Sequence, residues 1–194
     1  MNTLMKTLTH PIAITVLALV TLFSAPLAQA QNPRVSMETN FGNIEIELLE
    51  KLAPLTVENF LKLVDAEFYD GLIFHRVIAN FMIQGGGYTP ALQYREGDAT
   101  VRNESFNGVK NSLGTVAMAR MADPDSAGTQ FFINVRNNPH LDAAGGKAGY
   151  TVFGRVVSGM EVVHEIEVVN THLKAGMAAV PEEPVIIQKV TRIE

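Results

Sequence analysis

Apolar and polar residues alternate along two neighbouring segments, residues 35–39 and residues 44–48. Val35 and Met37 lie between polar residues in the first segment, and isoleucines alternate with glutamates in the second. A period of two places successive side chains on opposite faces of a β-strand. Because Gly42-Asn43 between the segments is typical of a tight turn, the pattern predicts a β-hairpin with one apolar and one acidic face.

A helical period begins at Pro54, which suits the entry to a helix, and Thr56 is the predicted cap. The apolar residues that follow have the i, i+3, i+4, i+7 spacing of one helix face: Val57, Phe60, Leu61 and Val64. A second helix is predicted where Ser158 and Glu161 have the spacing of a capping box. Its predicted inner side carries Met160, Val163 and Ile166.

Short apolar runs predict the remaining strands. Residues 72–84 contain two such runs around Ala79-Asn80, and glycines at 85–87 end them. The later runs cover residues 113–119, 131–135, 151–157 and 185–193. The polar residues 88–109 predict a long surface loop. A chain with about eight short strands and two helices is mainly β and favours a closed barrel or a sandwich, and periodicity alone does not choose between them.

The first 30 residues differ from the rest of the chain. Lys6 precedes an apolar run at residues 11–23, and Ala28-Gln29-Ala30 has the small-x-small pattern that signal peptidase reads. An uncleaved anchor is the alternative, but the run is shorter than the ~20 residues of a membrane-spanning helix. We therefore predict a cleaved signal peptide at 1–30 and one domain at 31–194. The mature protein is expected in the periplasm, or secreted to the medium, without stable membrane insertion.

Composition excludes several classes of function. The chain has 15 lysines and arginines against 20 acidic residues, a net charge of −5, and no basic cluster that would bind nucleic acid. It has no cysteine, so thiolate metal sites and cysteine nucleophiles are excluded. Its five histidines lack metal-ligand spacing with a third ligand, and we predict no metal site. His75 is predicted to be a structural histidine with satisfied hydrogen bonds.

Three segments carry a resemblance to a known family. The first is FHRVIANFMIQGG at residues 74–86. The second is MAR at 118–120 followed by SAGTQFFI at 126–133, and the third is LD at 141–142 followed by YTVFGRV at 150–156. Together, in this order, they resemble the signature stretches of cyclophilins, and the small bacterial periplasmic members most of all. The resemblance extends over about residues 35–193. It implies a closed eight-stranded antiparallel β-barrel capped by two α-helices, and peptidyl-prolyl cis-trans isomerase activity without a cofactor.

The resemblance also implies roles for individual residues. Arg76 would donate to the prolyl nitrogen, with Phe81 and Gln84 as the other catalytic residues. Gln84 would hold the substrate backbone beside the rotating bond and help to position Arg76. The remaining residues implied to bind substrate are Met82, Ala119, Arg120, Gln130, Phe132, His140, Leu141 and Tyr150. Among these, Met82, Phe132 and Leu141 would form the proline pocket with Phe81.

Two positions depart from the family's pattern. His140 stands where many members carry tryptophan, so weak cyclosporin binding is expected. Arg120 stands where eukaryotic members usually have asparagine, which suggests a preference for acidic residues before proline.

The chemistry requires neither a nucleophile nor a metal, because no covalent bond breaks when an Xaa-Pro bond rotates. The rotation barrier is ~18–20 kcal/mol, and a donor aimed at the nitrogen of the twisted bond would lower it. We expect proline-containing polypeptides as partners, a monomer, and a role in folding exported proteins. The alternative is a proline-binding module or holdase whose turnover is incidental. A purely structural β-barrel would leave the three segments unexplained.

Overall fold

The computed structural model describes residues 31–193. The predicted signal peptide at residues 1–30 therefore lies outside the described residues. The helices are α1 (Pro54–Asp65) and α2 (Met160–Glu167). The strands are β1 (Arg34–Thr39), β2 (Gly42–Leu48), β3 (Ile73–Ile78), β4 (Met82–Tyr88), β5 (Thr115–Met118), β6 (Phe131–Asn134), β7 (Val152–Ser158), β8 (Thr171–Lys174), β9 (Met177–Pro181) and β10 (Ile187–Ile193).

Eight of these strands form one antiparallel sheet in the order β10-β1-β2-β7-β5-β6-β4-β3. The sheet curves into a half-barrel, and the predicted closed barrel is not confirmed. The edge strands β10 and β3 are connected near Ile73 and Ile186 by an isolated bridge rather than by a continuous ladder. The segment at this junction bonds to both sides. The Phe74 N–H donates to the Val185 carbonyl and the Ile187 N–H to the Leu72 carbonyl, while Ile186 exchanges hydrogen bonds with Asn40.

The predicted hairpin of β1 and β2 is confirmed, as are strands in each of the later apolar runs. The predicted turn is wrong, because Gly42 and Asn43 lie in β2 and the turn consists of Asn40 and Phe41. The glycines at 85–87 do not end the preceding run either, since β4 continues through them to Tyr88. The hairpin of β8 and β9 was not predicted. Most of its side chains are exposed or half-buried, so it carries no apolar period, and its turn depends on left-handed backbone at Ala175 and Gly176. It forms a separate two-stranded sheet.

An aromatic cluster packs α1 against the sheet. The ring of Phe60 lies 5.1 Å from that of Tyr69, 5.1 Å from Phe153 and 5.8 Å from Phe131, which it meets edge to face. All four residues are fully buried. Such tilted and edge-to-face contacts add to the hydrophobic gain of burial, and they form the core beneath the central strands.

The cap of α1 comes from a distant loop rather than from Thr56. The carboxylate of Glu104 accepts hydrogen bonds from the main-chain N–H groups of Leu55 and Thr56, at 3.1 and 2.9 Å, and from the Thr56 hydroxyl at 2.7 Å. Ala53 precedes the helix and makes no side-chain cap, whereas Pro54 is its first residue, as predicted. Because a carboxylate is also favoured by the helix dipole at this end, Glu104 replaces a local cap.

The predicted capping box of α2 is wrong. The residue before the helix is Gly159, with φ of +86°, and no side chain caps the helix. A Cβ atom at Gly159 would overlap the carbonyl oxygen of Asn43 in the first hairpin. Glycine is therefore required at this close approach. The inner side was predicted correctly for Val163 and Ile166, which are fully buried.

Among residues 31–193, no helix is both long and apolar enough to cross a membrane.

Candidate active site

The candidate site lies on the face of β4, β5 and β6 that points away from the aromatic cluster. In the antiparallel register, Gln84 of β4 pairs with Phe132 of β6, and Phe132 pairs with Ala117 of β5. A cavity of about 150 Å³ opens on this face. Its lining residues are Arg76, Phe81, Met82, Gln84, Ala119, Arg120, Phe132, Leu141 and Tyr150. The structure thus brings together nine of the residues named from the sequence.

Gln130, a further predicted residue, lies in a neighbouring cavity of about 190 Å³. The two cavities share Gln84, Ala119 and Arg120. Sequence reasoning missed the rest of the second cavity's lining, which consists of Tyr94, Met121, Ser126, Gly128 and Thr129. Two cavities side by side suit a peptide whose neighbouring side chains enter separate depressions.

His140 is absent from the lining of either cavity and stacks on the Phe81 ring instead, with ring centres 5.6 Å apart and an interplanar angle of 25°. It is exposed, while Phe81 is half-buried. Phe81 follows a turn in which Asn80 has a left-handed backbone, with φ of +56°, a conformation that asparagine tolerates. The structure therefore places His140 beside the cavity, against Phe81, and not in the lining as the sequence predicts.

The polar side of the cavity is a chain of three side chains. The Nη1 group of Arg76 donates to the Oε1 atom of Gln84 at 3.2 Å. The Nε2 group of Gln84 donates to the Oε1 atom of Gln130 at 3.0 Å. Arg76 is half-buried on β3, next to β4. These bonds fix the guanidinium at the rim of the cavity and leave it further N–H groups for a ligand.

The floor of the cavity is apolar. Met82 is 2% exposed and Phe132 is 4% exposed, and they form a cluster with Val152 and Ala117 that is separate from the main core. The Phe132 ring meets the Tyr150 ring edge to face, with centres 5.7 Å apart. Such a surface accepts a small apolar ring and excludes water from it, so electrostatic interactions at the rim are stronger than in bulk water.

Behind the wall lies a buried chain of asparagines that sequence reasoning also missed. Asn138 Nδ2 donates to the Phe81 carbonyl and to Asn134 Oδ1, both at 2.8 Å. Asn134 Nδ2 donates to Asn111 Oδ1 at 3.3 Å, and the main-chain N–H of Asn111 donates to the Asp142 carboxylate at 2.8 Å. All three asparagines are buried. An asparagine within an apolar strand, as in FFIN at 131–134, was the available signal.

His75 precedes Arg76 on β3 and is 4% exposed. Burial lowers the pKa of His75 to about 4 against the opposing effect of a main-chain hydrogen bond at Ile73, and the nearby Arg76 charge makes a smaller contribution to the lowering. Its Nδ1 atom has no hydrogen-bond partner, so the prediction of a satisfied histidine is wrong for this atom. The ring packs on Tyr88 at 4.6 Å between centres. His75 is therefore a neutral, structural residue.

No group of three or more histidine, cysteine, aspartate or glutamate side chains in residues 31–193 is arranged to hold a metal ion.

Comparison with known proteins gives matches over most of the chain. A family model described as "Cyclophilin type peptidyl-prolyl cis-trans isomerase/CLD" matches residues 34–192. A peptidyl-prolyl cis-trans isomerase of Acinetobacter baylyi is 50% identical over 159 residues, which are 82% of this chain and 85% of the relative. Peptidyl-prolyl cis-trans isomerase A of Dickeya dadantii is 44% identical over 181 residues, covering 93% of this chain and 95% of the relative.

Solved structures agree with this assignment. A crystal structure of a Cryptosporidium parvum cyclophilin type peptidyl-prolyl cis-trans isomerase, in the presence of the dipeptide Ala-Pro, matches with a TM-score of 0.72 and 27% identity. The match covers 83% of this chain and 99% of that one. The fold, the cavity and the matched residues lead to one conclusion: the chain belongs to the cyclophilin family of peptidyl-prolyl cis-trans isomerases.

Proposed function

We propose that this isomerase acts on Xaa-Pro bonds of exported proteins and assists their folding, by a non-covalent mechanism in which Arg76 donates a hydrogen bond to the prolyl nitrogen. The observation that carries the mechanism is the position of Arg76. Its guanidinium lies at the rim of a cavity with an apolar floor and is bonded to Gln84. Phe81, Met82, Phe132 and Leu141 supply apolar surface for the proline ring.

The mechanism follows from what changes as the bond rotates. In the planar amide the nitrogen lone pair is conjugated, and the nitrogen is a poor acceptor. In the twisted state the lone pair is localised, so a fixed donor binds this state more tightly than either planar state. Arginine suits this position because it remains charged and presents its N–H groups in a rigid plane. The apolar floor beside it strengthens the interaction in the transition state.

Gln84 has the second part in this proposal. Its Oε1 atom accepts from Arg76, and one of its two Nε2 protons goes to Gln130. The other proton remains for a substrate carbonyl. Gln84 would therefore hold the peptide backbone next to the rotating bond while it orients Arg76, and Ala119, Arg120 and Gln130 would line the groove for residues before proline.

The setting of the enzyme is a further part of the proposal. The apolar run at 11–23 and Ala28-Gln29-Ala30 support export and cleavage before Gln31, to the periplasm or the medium. We propose that the enzyme acts there as a monomer on proline-containing polypeptides. Weak cyclosporin binding is also proposed, because the exposed imidazole of His140 stands at the position of the family's tryptophan.

The mechanism is tested with Arg76→Ala. We expect kcat/KM for a proline peptide to fall by about 100-fold to 1,000-fold, as when a single preorganised donor is removed from an active site. Exchange NMR on the purified protein measures the rate without a coupled protease. Arg155→Ala is the matched control, because Arg155 is exposed, pairs with Glu47 and lies outside the cavity lining.

Three outcomes separate the alternatives. Fast exchange that is lost in Arg76→Ala and kept in Arg155→Ala supports the mechanism. Fast exchange that survives in Arg76→Ala keeps the enzyme and rejects Arg76 as the donor. Binding of the peptide without any acceleration by the folded wild-type protein favours a binding module or holdase. Export is tested separately, by the N-terminal residue of the protein recovered from the periplasmic fraction.

A further inference from the structure

Arg120 lies immediately after β5 and lines both cavities. Its side chain is half-buried. The guanidinium carbon is 4.8 Å from the centre of the Tyr150 ring, which is the geometry of a cation–π contact. Tyr150 in turn packs edge to face on Phe132 in the floor of the proline cavity. Arg120 is thus connected to the cavity through the aromatic residues of its wall.

The guanidinium nitrogens of Arg120 are all used on main-chain carbonyls. Nε donates to Gly149 at 3.0 Å, and Nη2 donates to Ala148 at 3.0 Å. Nη1 donates to Met121 at 2.8 Å, with a longer contact of 3.4 Å to Ala122. One side chain therefore joins the segment that follows β5 to the segment that precedes β7. A planar fork with five N–H groups can make this set of bonds, whereas an ammonium group cannot.

Gly149 is held from its other side as well. Its N–H donates to the Ser105 hydroxyl at 2.9 Å, and its carbonyl accepts a second bond from Asn103 Nδ2 at 3.1 Å. A Cβ atom at this position would overlap main-chain atoms of residues 141–143. The next residue, Tyr150, donates its N–H to the Leu141 carbonyl at 2.9 Å. The main-chain segment to which Arg120 donates is therefore the one that places Tyr150 and Leu141 in the cavity wall.

We propose that Arg120 is a positioning residue for isomerisation. It fixes the main chain at Gly149 and the ring of Tyr150, and so sets the distance between the Tyr150 wall and the Phe132 floor. This inference rests on the proposed function of the cavity. A displaced wall should weaken binding of the planar and twisted substrate alike, so we expect KM to rise more than kcat falls.

The hydrogen bonds of Arg120 argue against a second role, the selection of acidic residues before proline. The sequence suggests that the Arg120 charge favours acidic residues before proline. In the structure each of its three nitrogens already donates to a carbonyl oxygen. Arg120→Lys distinguishes the two roles. Lysine keeps the positive charge that would attract acidic side chains of the substrate, but it cannot make the hydrogen bonds by which the planar guanidinium joins two segments.

The experiment measures kcat and KM of the purified protein for Glu-Pro, Ala-Pro and Lys-Pro peptides, with Arg120→Lys beside the wild type. We expect kcat/KM of Arg120→Lys to fall about tenfold, equally for the three peptides and mainly through KM. Arg155→Lys is the control with the same substitution outside the cavities and should retain the wild-type constants. In the variant, amide hydrogen exchange should accelerate at Tyr150 and remain unchanged at Ile83 in the core of β4.

The inference is overturned if Arg120→Lys has the kcat and KM of the wild type. It is also overturned if kcat/KM falls for the Glu-Pro peptide alone. An inactive wild-type protein, in contrast, refutes the proposed function rather than the positioning role. A measurement on the unmodified protein covers the case in which the variant does not fold. In the unmodified protein, the Arg120 Nε proton should exchange slowly with solvent and show a nuclear Overhauser contact to the Tyr150 ring. A rapidly exchanging Nε proton without this contact also overturns the inference.

Discussion

Burial of His75 makes the stability of the fold depend on pH. The imidazole is 4% exposed, and burial, with a smaller contribution from the Arg76 charge, lowers the pKa of His75 from 6.5 to about 4. A main-chain hydrogen bond at Ile73 acts in the opposite direction, and burial outweighs it. In the unfolded chain the same imidazole is solvated and takes up a proton near its ordinary pKa. Protonation therefore favours the unfolded state.

The sign and size follow from linkage. The folded-state pKa is depressed, so the unfolded state binds more protons between pH 6.5 and pH 4. The free energy of unfolding is at its full value above this window and falls as the pH decreases through it. A shift from 6.5 to about 4 corresponds to about 3 kcal/mol, at about 1.4 kcal/mol per pH unit. This is a large share of the ~5–15 kcal/mol typical of a domain.

Urea denaturation of the wild type and of His75→Gln, from pH 7 to pH 4, isolates this contribution. Carboxylates titrate in both proteins, so the informative quantity is the difference in unfolding free energy between them. We expect that difference to shift by about 3 kcal/mol in favour of the variant as the pH falls. A difference between wild type and His75→Gln that stays constant from pH 7 to pH 4 would refute the reasoning.

Two further predictions concern residues that the structure adds to the sequence analysis. Glu104→Ala removes the acceptor of three donors at the start of α1, so the free energy of unfolding in urea should fall by about 2 kcal/mol. The control Glu96→Ala changes an exposed glutamate and should leave the free energy of unfolding unchanged. Equal losses in the two variants would contradict the capping role of Glu104. Asn138→Asp removes the donors to Phe81 and Asn134 and should lower kcat/KM about tenfold, whereas its exposed neighbour Asn137→Asp keeps its acceptor oxygen for Leu113 and should retain activity.

The spacing of apolar residues correctly predicted the strands and helix faces whose buried positions repeat with the period of the strand or helix. The hairpin of β1 and β2 and the inner face of α1 are of this kind. The helix starts were predicted less well, because their partners are remote: Glu104 caps α1 from 48 residues away. Gly159 is required by the approach of Asn43, which no local window contains. The junction of β10 and β3 likewise depends on remote contacts, those of Ile186 with Asn40 and with Ile73.

The lining of the cavity was predictable because the motifs that carry the family resemblance lie on its strands or in the segments that flank them. The residues that hold them in place were not. Asn138 is four residues from Asn134, but Asn111 is 23 residues from Asn134, and the three meet only behind Phe81. Asn111 and Asn138 lie in loops, where polar residues usually face solvent, so the asparagine in β6 was the one signal and gave little reason to connect the three. Their burial and mutual hydrogen bonds appear only in the folded chain.

The alternation of side chains on β6 connects the core to the site. Phe131 enters the aromatic cluster beneath the sheet, and the next residue, Phe132, forms the floor of the cavity. The same division holds on β4, where Ile83 is in the core while Met82 faces the cavity. Successive residues of a strand point to opposite faces. Each strand of the site is therefore anchored by the residue beside the functional one.

This arrangement explains why the register of β4, β5 and β6 is decisive for function. Gln84 pairs with Phe132, and Phe132 pairs with Ala117, so polar and apolar parts of the cavity lie side by side. A slip of one residue would exchange the two faces, placing Gln84 in the core and Ile83 in the cavity. Burial of Phe131 and Ile83 opposes that slip. The apolar core thus stabilises the fold and also holds Gln84, and through it Arg76, against the proline cavity.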